Sequence, residues 1–270
     1  MTSGQLPEQL FHYTSAAGAR GILHGGSVWA SMIHYMNDGQ EFEYALDLAR
    51  EILLQSTGTG SDDISYRTVC EEFLHAIRKF AIYAFSLSEE KDLLSQWRAY
   101  CPPEGGFALG FSAAKLRELA EPEGFHLVRC EYDRDAQQTL IRPIVDEILN
   151  RAREIGSKFT FLDLQLSVIR RLAEIGASLK HPSFAEEREW RLIATHVPAG
   201  SVRYRATRSL IVPYYDLAIA RGSSFPVERV VVGPHRHADL AERSLRLMTS
   251  AARGWPVKVE QTATPFRVLG

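Results

Sequence analysis

Cysteine is scarce. The chain has three among 270 residues, Cys70, Cys101 and Cys130, odd in number, far apart and in no CxxC pair. That pattern supports neither a disulfide framework nor a cysteine-rich zinc site, and reads as reduced thiols of the cytoplasm. An excess of one charge is missing too. Lys and Arg number 31 against 33 Asp and Glu, a formal charge of −2. This argues against nucleic-acid binding through bulk positive charge and leaves room only for a local patch. No apolar run approaches the ~20 residues that span a bilayer. The opening Met-Thr-Ser-Gly-Gln-Leu-Pro-Glu lacks the basic-then-apolar order of a secretory signal. The expectation is a soluble, cytoplasmic protein with no membrane partner. With no repeat, low-complexity tract or long linker in view, a single domain over 1–270 is expected.

Phosphate and metal fingerprints are absent as well. The nearest string to GxGxxG, Gly58-Thr59-Gly60, lacks the third glycine and follows a helix rather than a strand. There is no Walker A sequence and no GxSxG elbow. His235-Arg236-His237 offers two imidazoles on neighbouring positions of a turn, but no carboxylate or cysteine pair completes a ligand set, so no metal is expected.

What is present is ordinary globular composition, 45% hydrophobic and 10% aromatic, on a chain long enough to bury a core. Residues 10–14 read as a strand. Ser15 reads as the N-cap of a helix that carries Ala19, Ile22 and Leu23 on one side and stops at Gly25-Gly26. A second strand is expected over 27–33, a turn at Asn37-Asp38-Gly39, an amphipathic helix over 41–54 and a flexible loop over 56–63. Further strands are expected at 81–88, 105–111, 125–132, 189–196, 209–212, 227–232 and 257–261. Further helices are expected at 66–78, 93–100, 136–154, 162–179 and 238–252. Strands and helices mix without strict alternation, which predicts an α+β fold with a mixed or largely antiparallel sheet. The helical stretch 134–180 reads as a separate layer or subdomain.

Three polar groups stand out. In Phe11-His12-Tyr13-Thr14-Ser15 a His and a Thr sit among aromatics on an early strand, either as a satisfied core histidine at a capping turn or as part of a site. In the segment 184–193, a strand beginning at Glu189 would put Glu187 and Glu189 on one face and Trp190, Leu192 and Ala194 on the other. Two like charges on one face suit either an exposed strand end or a site that handles protons or positive charge. Arg203 and Arg205 share one face of an extended segment and, with Arg208, either hold phosphate or form a solvated strand face.

Taken together, the chain resembles the bacterial domain-of-unknown-function 2971 family. The matching strings are His12-Tyr13-Thr14-Ser15, Gly21-Ile22-Leu23, Trp29-Ala30-Ser31, Met36-Asn37-Asp38 with Glu41-Phe42, Phe85-Ser86-Leu87-Ser88, Leu94 to Tyr100, Gly105 to Phe111 and Glu187-Arg188-Glu189-Trp190-Arg191. They run in the expected order over nearly the whole chain.

That family in turn is similar to the ADP-ribosyltransferases, through His12-x-Thr14 on the first strand and Glu187-x-Glu189 at a late one. Tyr13 stands where the poly(ADP-ribose) polymerases have Gly, and either Ser31 or Ser86 fits the middle serine of the pattern. The resemblance implies an ADP-ribosyltransferase-like mixed or antiparallel core with a helical insertion at 134–180. It implies NAD as substrate and mono-ADP-ribosylation of an unidentified protein or nucleic acid, as in a toxin or phage-defence effector with a possible antitoxin partner. NAD glycohydrolysis, and a non-catalytic binding module on a degenerate site, are the alternatives. In the implied roles Glu189 stabilises positive charge at the ribose and Glu187 orients or deprotonates the acceptor. His12 holds a ribose hydroxyl, Tyr13 or Trp29 stacks on nicotinamide, and Ser86 supports Glu189. Glu189→Gln is expected to abolish turnover and leave the fold intact.

Overall fold

The first turn of the chain illustrates how local chemistry sets an element. The Ser15 hydroxyl accepts from Gly18 N at 3.2 Å, and Gly26 ends the helix in a left-handed conformation, its N–H on Ile22 O. Ala19, Ile22 and Leu23 are the buried stripe. The structure, a computed structural model, describes residues 5–36, 39–58, 60–158, 166–251 and 256–264.

In chain order the elements are β1 (Gln9–Thr14), α1 (Ala16–Gly25), β2 (Ser27–Met32), α2 (Gly39–Ser56), α3 (Ser61–Ile77), β3 (Tyr83–Ser88), α4 (Leu94–Tyr100), β4 (Phe107–Ser112) and α5 (Ala113–Ala120). They continue with β5 (His126–Arg129), α6 (Arg134–Ile155), α7 (Leu166–Gly176), β6 (Glu189–Ala194), β7 (Val202–Ala206), β8 (Ile211–Ala218), β9 (Val227–Val232), α8 (Ala238–Ala251) and β10 (Lys258–Gln261). The fold is α+β, with a mixed and mostly antiparallel sheet among helices. The path runs β10-β9-β4-β1-β3-β2-β8-β7, with β6 on β3 and β5 on β6. Among the strands of the described residues, only β9 and β10 pair in parallel.

Several boundaries differ from the sequence reading. The loop expected over 56–63 is shorter, because α2 runs to Ser56 and α3 starts at Ser61. Asn37 and Asp38 of the expected turn lie outside the described residues, and Gly39 opens α2. The helix α5 was not expected, although Ala113, Leu116, Leu119 and Ala120 bury at three-and-four spacing. Strand β8 continues six residues past Val212, through Pro213. It persists because β2 and β7 pair with it on both sides.

One apolar layer lies under α2, α3, α6 and α7, joining Phe42, Ile52, Phe73, Ile144 and Leu172 to Ala84 and Ile193 of the sheet. The helices of the 134–180 stretch thus share a core with α2 and α3. A second layer on the other face joins α1, α5 and α8 to Leu10, Phe85, Leu109, Leu192 and Val230. Among the described residues no helix is long and apolar enough to cross a membrane.

Strand β3 positions everything that follows. One of its edges pairs along its whole length with β6, Tyr83 opposite Ala194 through Ser88 opposite Glu189. The other edge is divided: Ser88 meets Phe11 of β1, while Tyr83 and Ala84 meet Met32 and Ser31 of β2. Between them β1 and β2 diverge, and Phe85, Ser86 and Leu87 face a split in the sheet.

Candidate functional site

The segment before β6 is a 3-10 turn, Pro182–Glu187, capped by the His181 ring, whose Nδ1 accepts from Ser183 N at 3.2 Å. Arg188 then adopts φ 43°, a left-handed conformation that is costly outside glycine and swings the chain into the strand. Glu187 and Glu189 are therefore not alternate positions of one strand, as their spacing suggested. Their carboxylates converge all the same, each 2.6 Å from Nζ of Lys180. Lys180 is fully buried, and Glu187 and Glu189 are 8% and 4% exposed, so this is no solvated strand end.

Arg191 completes the cluster. Its Nε and Nη2 donate to Oε1 and Oε2 of Glu189 at 2.6 and 3.0 Å, and its Nη1 donates to Ala177 O at 2.9 Å. Two cations and two carboxylates balance to zero, the condition under which buried charges persist. A carboxylate accepts along about four lone-pair directions; Glu189 spends three of them here. Burial pushes its pKa up, but Arg191 and then Lys180 outweigh burial and hold it at about 2. Glu189 is an anion at every physiological pH. This corrects one expectation: Glu189→Gln would leave Lys180 and Arg191 facing a single carboxylate, so the substitution acts on the fold as well as on any chemistry.

Beside the cluster lies a cavity of about 40 Å³ to which His12, Tyr13, Ser86, Gln96, Glu187 and Glu189 all contribute. The walls come from β1, β3, α4 and the start of β6, brought together at the split. Larger cavities, about 390 Å³ beside β5 and α7 and about 340 Å³ between α1 and α8, do not touch the glutamates.

His12 bridges the split. Its Nδ1 is 2.9 Å from Ser86 O, and its ring lies 4.4 Å from that of Phe85. A carbonyl only accepts, so Nδ1 carries the proton and Nε2 presents a lone pair. Burial lowers the pKa to about 4, so the ring is neutral at pH 7. Between pH 6.5 and 4 the unfolded chain binds the proton first, so this stability is present above pH 6.5 and is lost as pH falls toward 4. Urea unfolding is expected to show about 2 kcal/mol more loss between pH 8 and pH 5 in wild type than in His12→Gln. Parallel pH profiles for the two proteins would contradict the assignment.

The other residues singled out by sequence divide into two groups. Ser86 is in the cavity wall, and its hydroxyl is buried without a hydrogen-bond partner. Ser88, rather than Ser86, braces the glutamates: it donates to Glu187 O at 2.7 Å. Tyr13 is locked in place. Its hydroxyl donates to Glu90 O at 2.7 Å and accepts from Leu93 N at 3.0 Å, while its ring meets Trp97 edge-on, 5% exposed. That ring is core and offers no open face for stacking. Thr14 stands apart under α1, its Oγ1 2.0 Å from where a Cβ on Gly18 would fall, which is why that position is glycine. Trp29 and Ser31 are also apart from the cavity, grouped with Tyr214 and Arg205.

Sequence reasoning gave no role to Lys180, Arg191, Gln96 or Tyr100. Arg191 had a signal, two residues after Glu189 in a strand of apolar neighbours. Lys180 had none. It is delivered by backbone pairing with a distant segment, Lys180 N to Glu131 O at 3.0 Å, and by Gln137 Nε2 on Lys180 O at 2.8 Å. His235 and His237 bond to each other, His237 N donating to His235 Nδ1 at 2.8 Å. Among the described residues no group of three or more His, Cys, Asp or Glu could hold a metal ion.

Residues 96–192 match the profile of a family described as protein of unknown function (DUF2971). No curated protein and no solved structure matches the chain. The matched stretch begins at Gln96 in the cavity wall and ends in β6. Over residues 96–192, which carry Lys180, Glu187, Glu189 and Arg191, the chain is similar to the DUF2971 family.

Proposed function

We propose that the protein is a cytoplasmic, NAD-dependent mono-ADP-ribosyltransferase of ADP-ribosyltransferase-like fold, with its reaction centre where β1 and β2 part from β3. The observation that carries this reading is the convergence of His12, Ser86, Glu187 and Glu189 on one cavity, although the chain separates the first from the last by 177 residues. A fully ionised carboxylate suits the chemistry. Cleavage of the C1′–N bond sends its electron pair out on a neutral pyridine and leaves positive charge on the ribose, which an anion stabilises. The acceptor's nucleophile then bonds to C1′ and gives up its proton, for which Glu187 is the nearest base.

The polar inventory also suits a ribose. The unpartnered Ser86 hydroxyl and the Nε2 lone pair of His12 can receive and give hydrogen bonds to a diol. A volume of about 40 Å³ holds a water molecule or two, so only the hydroxyl-bearing edge of a nucleotide reaches this floor, and the rest lies in the open split.

The test uses NAD labelled on its adenylate side, incubated in bacterial lysate with wild type and with Glu189→Gln at a temperature where both are folded by circular dichroism. Transfer of label to a macromolecule and release of nicotinamide are expected from wild type alone, with at least about a hundredfold loss in the variant. Nicotinamide release without transfer would replace the reading with NAD glycohydrolase. A second reading, a non-catalytic binding module, is favoured by one specific feature: Lys180 and Arg191 occupy most of the Glu189 carboxylate. It predicts neither product from either protein.

A further inference from the structure

Strands β2, β8 and β7 end the sheet, and one face of them carries chemistry that the glutamate cluster does not use. Register sets Trp29 opposite Asp216, Ser31 opposite Tyr214, and Arg203 opposite Tyr214 from the other side. Trp29, Ser31, Tyr214, Arg203 and Arg205 therefore share a face. Trp29 is 49% exposed and lies against Tyr214, ring centres 4.6 Å apart. The Arg205 guanidinium sits 5.7 Å over the Trp29 ring, and its Nη2 bonds Ser31 Oγ at 3.3 Å. Arg203 pairs with Asp216 at 3.1 Å yet stays 65% exposed. Arg205 Nε and Asp216 Oδ1 are buried atoms with no hydrogen-bond partner. Arg208 follows, exposed, in the connection to β8.

An exposed indole backed by a second ring is a platform for a planar group, and every nucleobase has a face to lay on it. A duplex hides those faces in its stack; a single strand offers them. Arg203 and Arg205, two apart on an extended strand, stand about 7 Å apart along it, close to the repeat of phosphates on a stretched strand. The chain's overall balance of charge means that attraction must come from this local group. We propose that the face formed by β2, β8 and β7 binds single-stranded nucleic acid, with a base stacked on Trp29 and neighbouring phosphates held by Arg203, Arg205 and Arg208. This stands independently of any transferase activity.

Fluorescence anisotropy with dye-labelled oligothymidylate and oligouridylate, over a range of salt, tests it; the two strands separate DNA from RNA preference. With three phosphate contacts the slope of log K against log salt is expected near about −2. Trp29→Ala should weaken binding about tenfold and Trp29→Tyr much less, because a ring remains. Arg203→Ala with Arg205→Ala should flatten the slope by about 1.4. Trp29 and Arg203 are exposed and Arg205 is partly so, and melting curves check that the variants are folded. No binding of either strand at low salt would overturn the proposal. So would undiminished binding by folded Trp29→Ala, or equal binding of a matched duplex or of polyphosphate, which has no bases.

Discussion

Lys180→Met is expected to lower the free energy of unfolding by about 3–5 kcal/mol, the cost of breaking a buried ion pair from one side. Lys180 has no exposed surface, and its ammonium lies 2.6 Å from each of two carboxylates. Without it, Glu187 and Glu189 confront each other in a buried space with Arg191 as the remaining cation. Methionine nearly matches the lysine stem, so the loss is of charge balance more than of packing. In urea the midpoint should fall at constant slope, and the thermal midpoint should drop by roughly 10 °C. The comparison is Lys115→Met. Lys115 is also 2.8 Å from a carboxylate, that of Glu228, but its side chain is 50% exposed, and its loss should cost under about 1 kcal/mol. Equal losses at the two positions would mean that burial gives the Lys180 cluster no special weight.

The second large effect is a rescue. Glu189→Gln alone should cost a similar 3–5 kcal/mol, roughly, because it leaves two buried cations with one carboxylate. Combined with Lys180→Met, it leaves Glu187 and Arg191, one charge of each sign. The double variant should therefore be more stable than the sum of the single losses predicts, by at least about 2 kcal/mol. Chemical denaturation of the four proteins in this cycle measures the coupling. Strict additivity would show that Lys180 and Glu189 do not depend on each other, despite their 2.6 Å separation. The cycle also bears on the activity assay. A dead Glu189→Gln protein is informative only when its stability loss is known, and the cycle supplies that loss.

Legibility of this molecule follows the range of the interactions involved. The Ser15 cap, the stripe of α1 and the Gly26 stop were readable because each depends on residues within one or two turns. Trp190, Leu192 and Ala194 were readable as buried from their alternation. The same alternation misled about Glu187, because it assumes an extended chain and Arg188 is left-handed. The run of β8 past Val212 was not legible, because it rests on the pairing of both neighbouring strands around Pro213, which lacks an N–H. Tyr13 read as a candidate stacking surface, but α4 supplies Trp97 to cover its ring and the segment leading into that helix supplies the partners of its hydroxyl.

By itself, the sequence determined the α+β character of the chain, the identity of most helices and strands, the free cysteines and the acidic pair worth watching. These are set by composition, period and near neighbours. Tertiary structure decided the rest. It divided one edge of β3 between two strands, brought His12 across the gap to Ser86, and carried Lys180 to a pair of glutamates that nothing in its own segment foreshadows. The reason is physical. A buried charge is tolerable only where opposite charge surrounds it, and that balance belongs to side chains drawn from α7's end, a turn and a strand, which meet only after the sheet has formed.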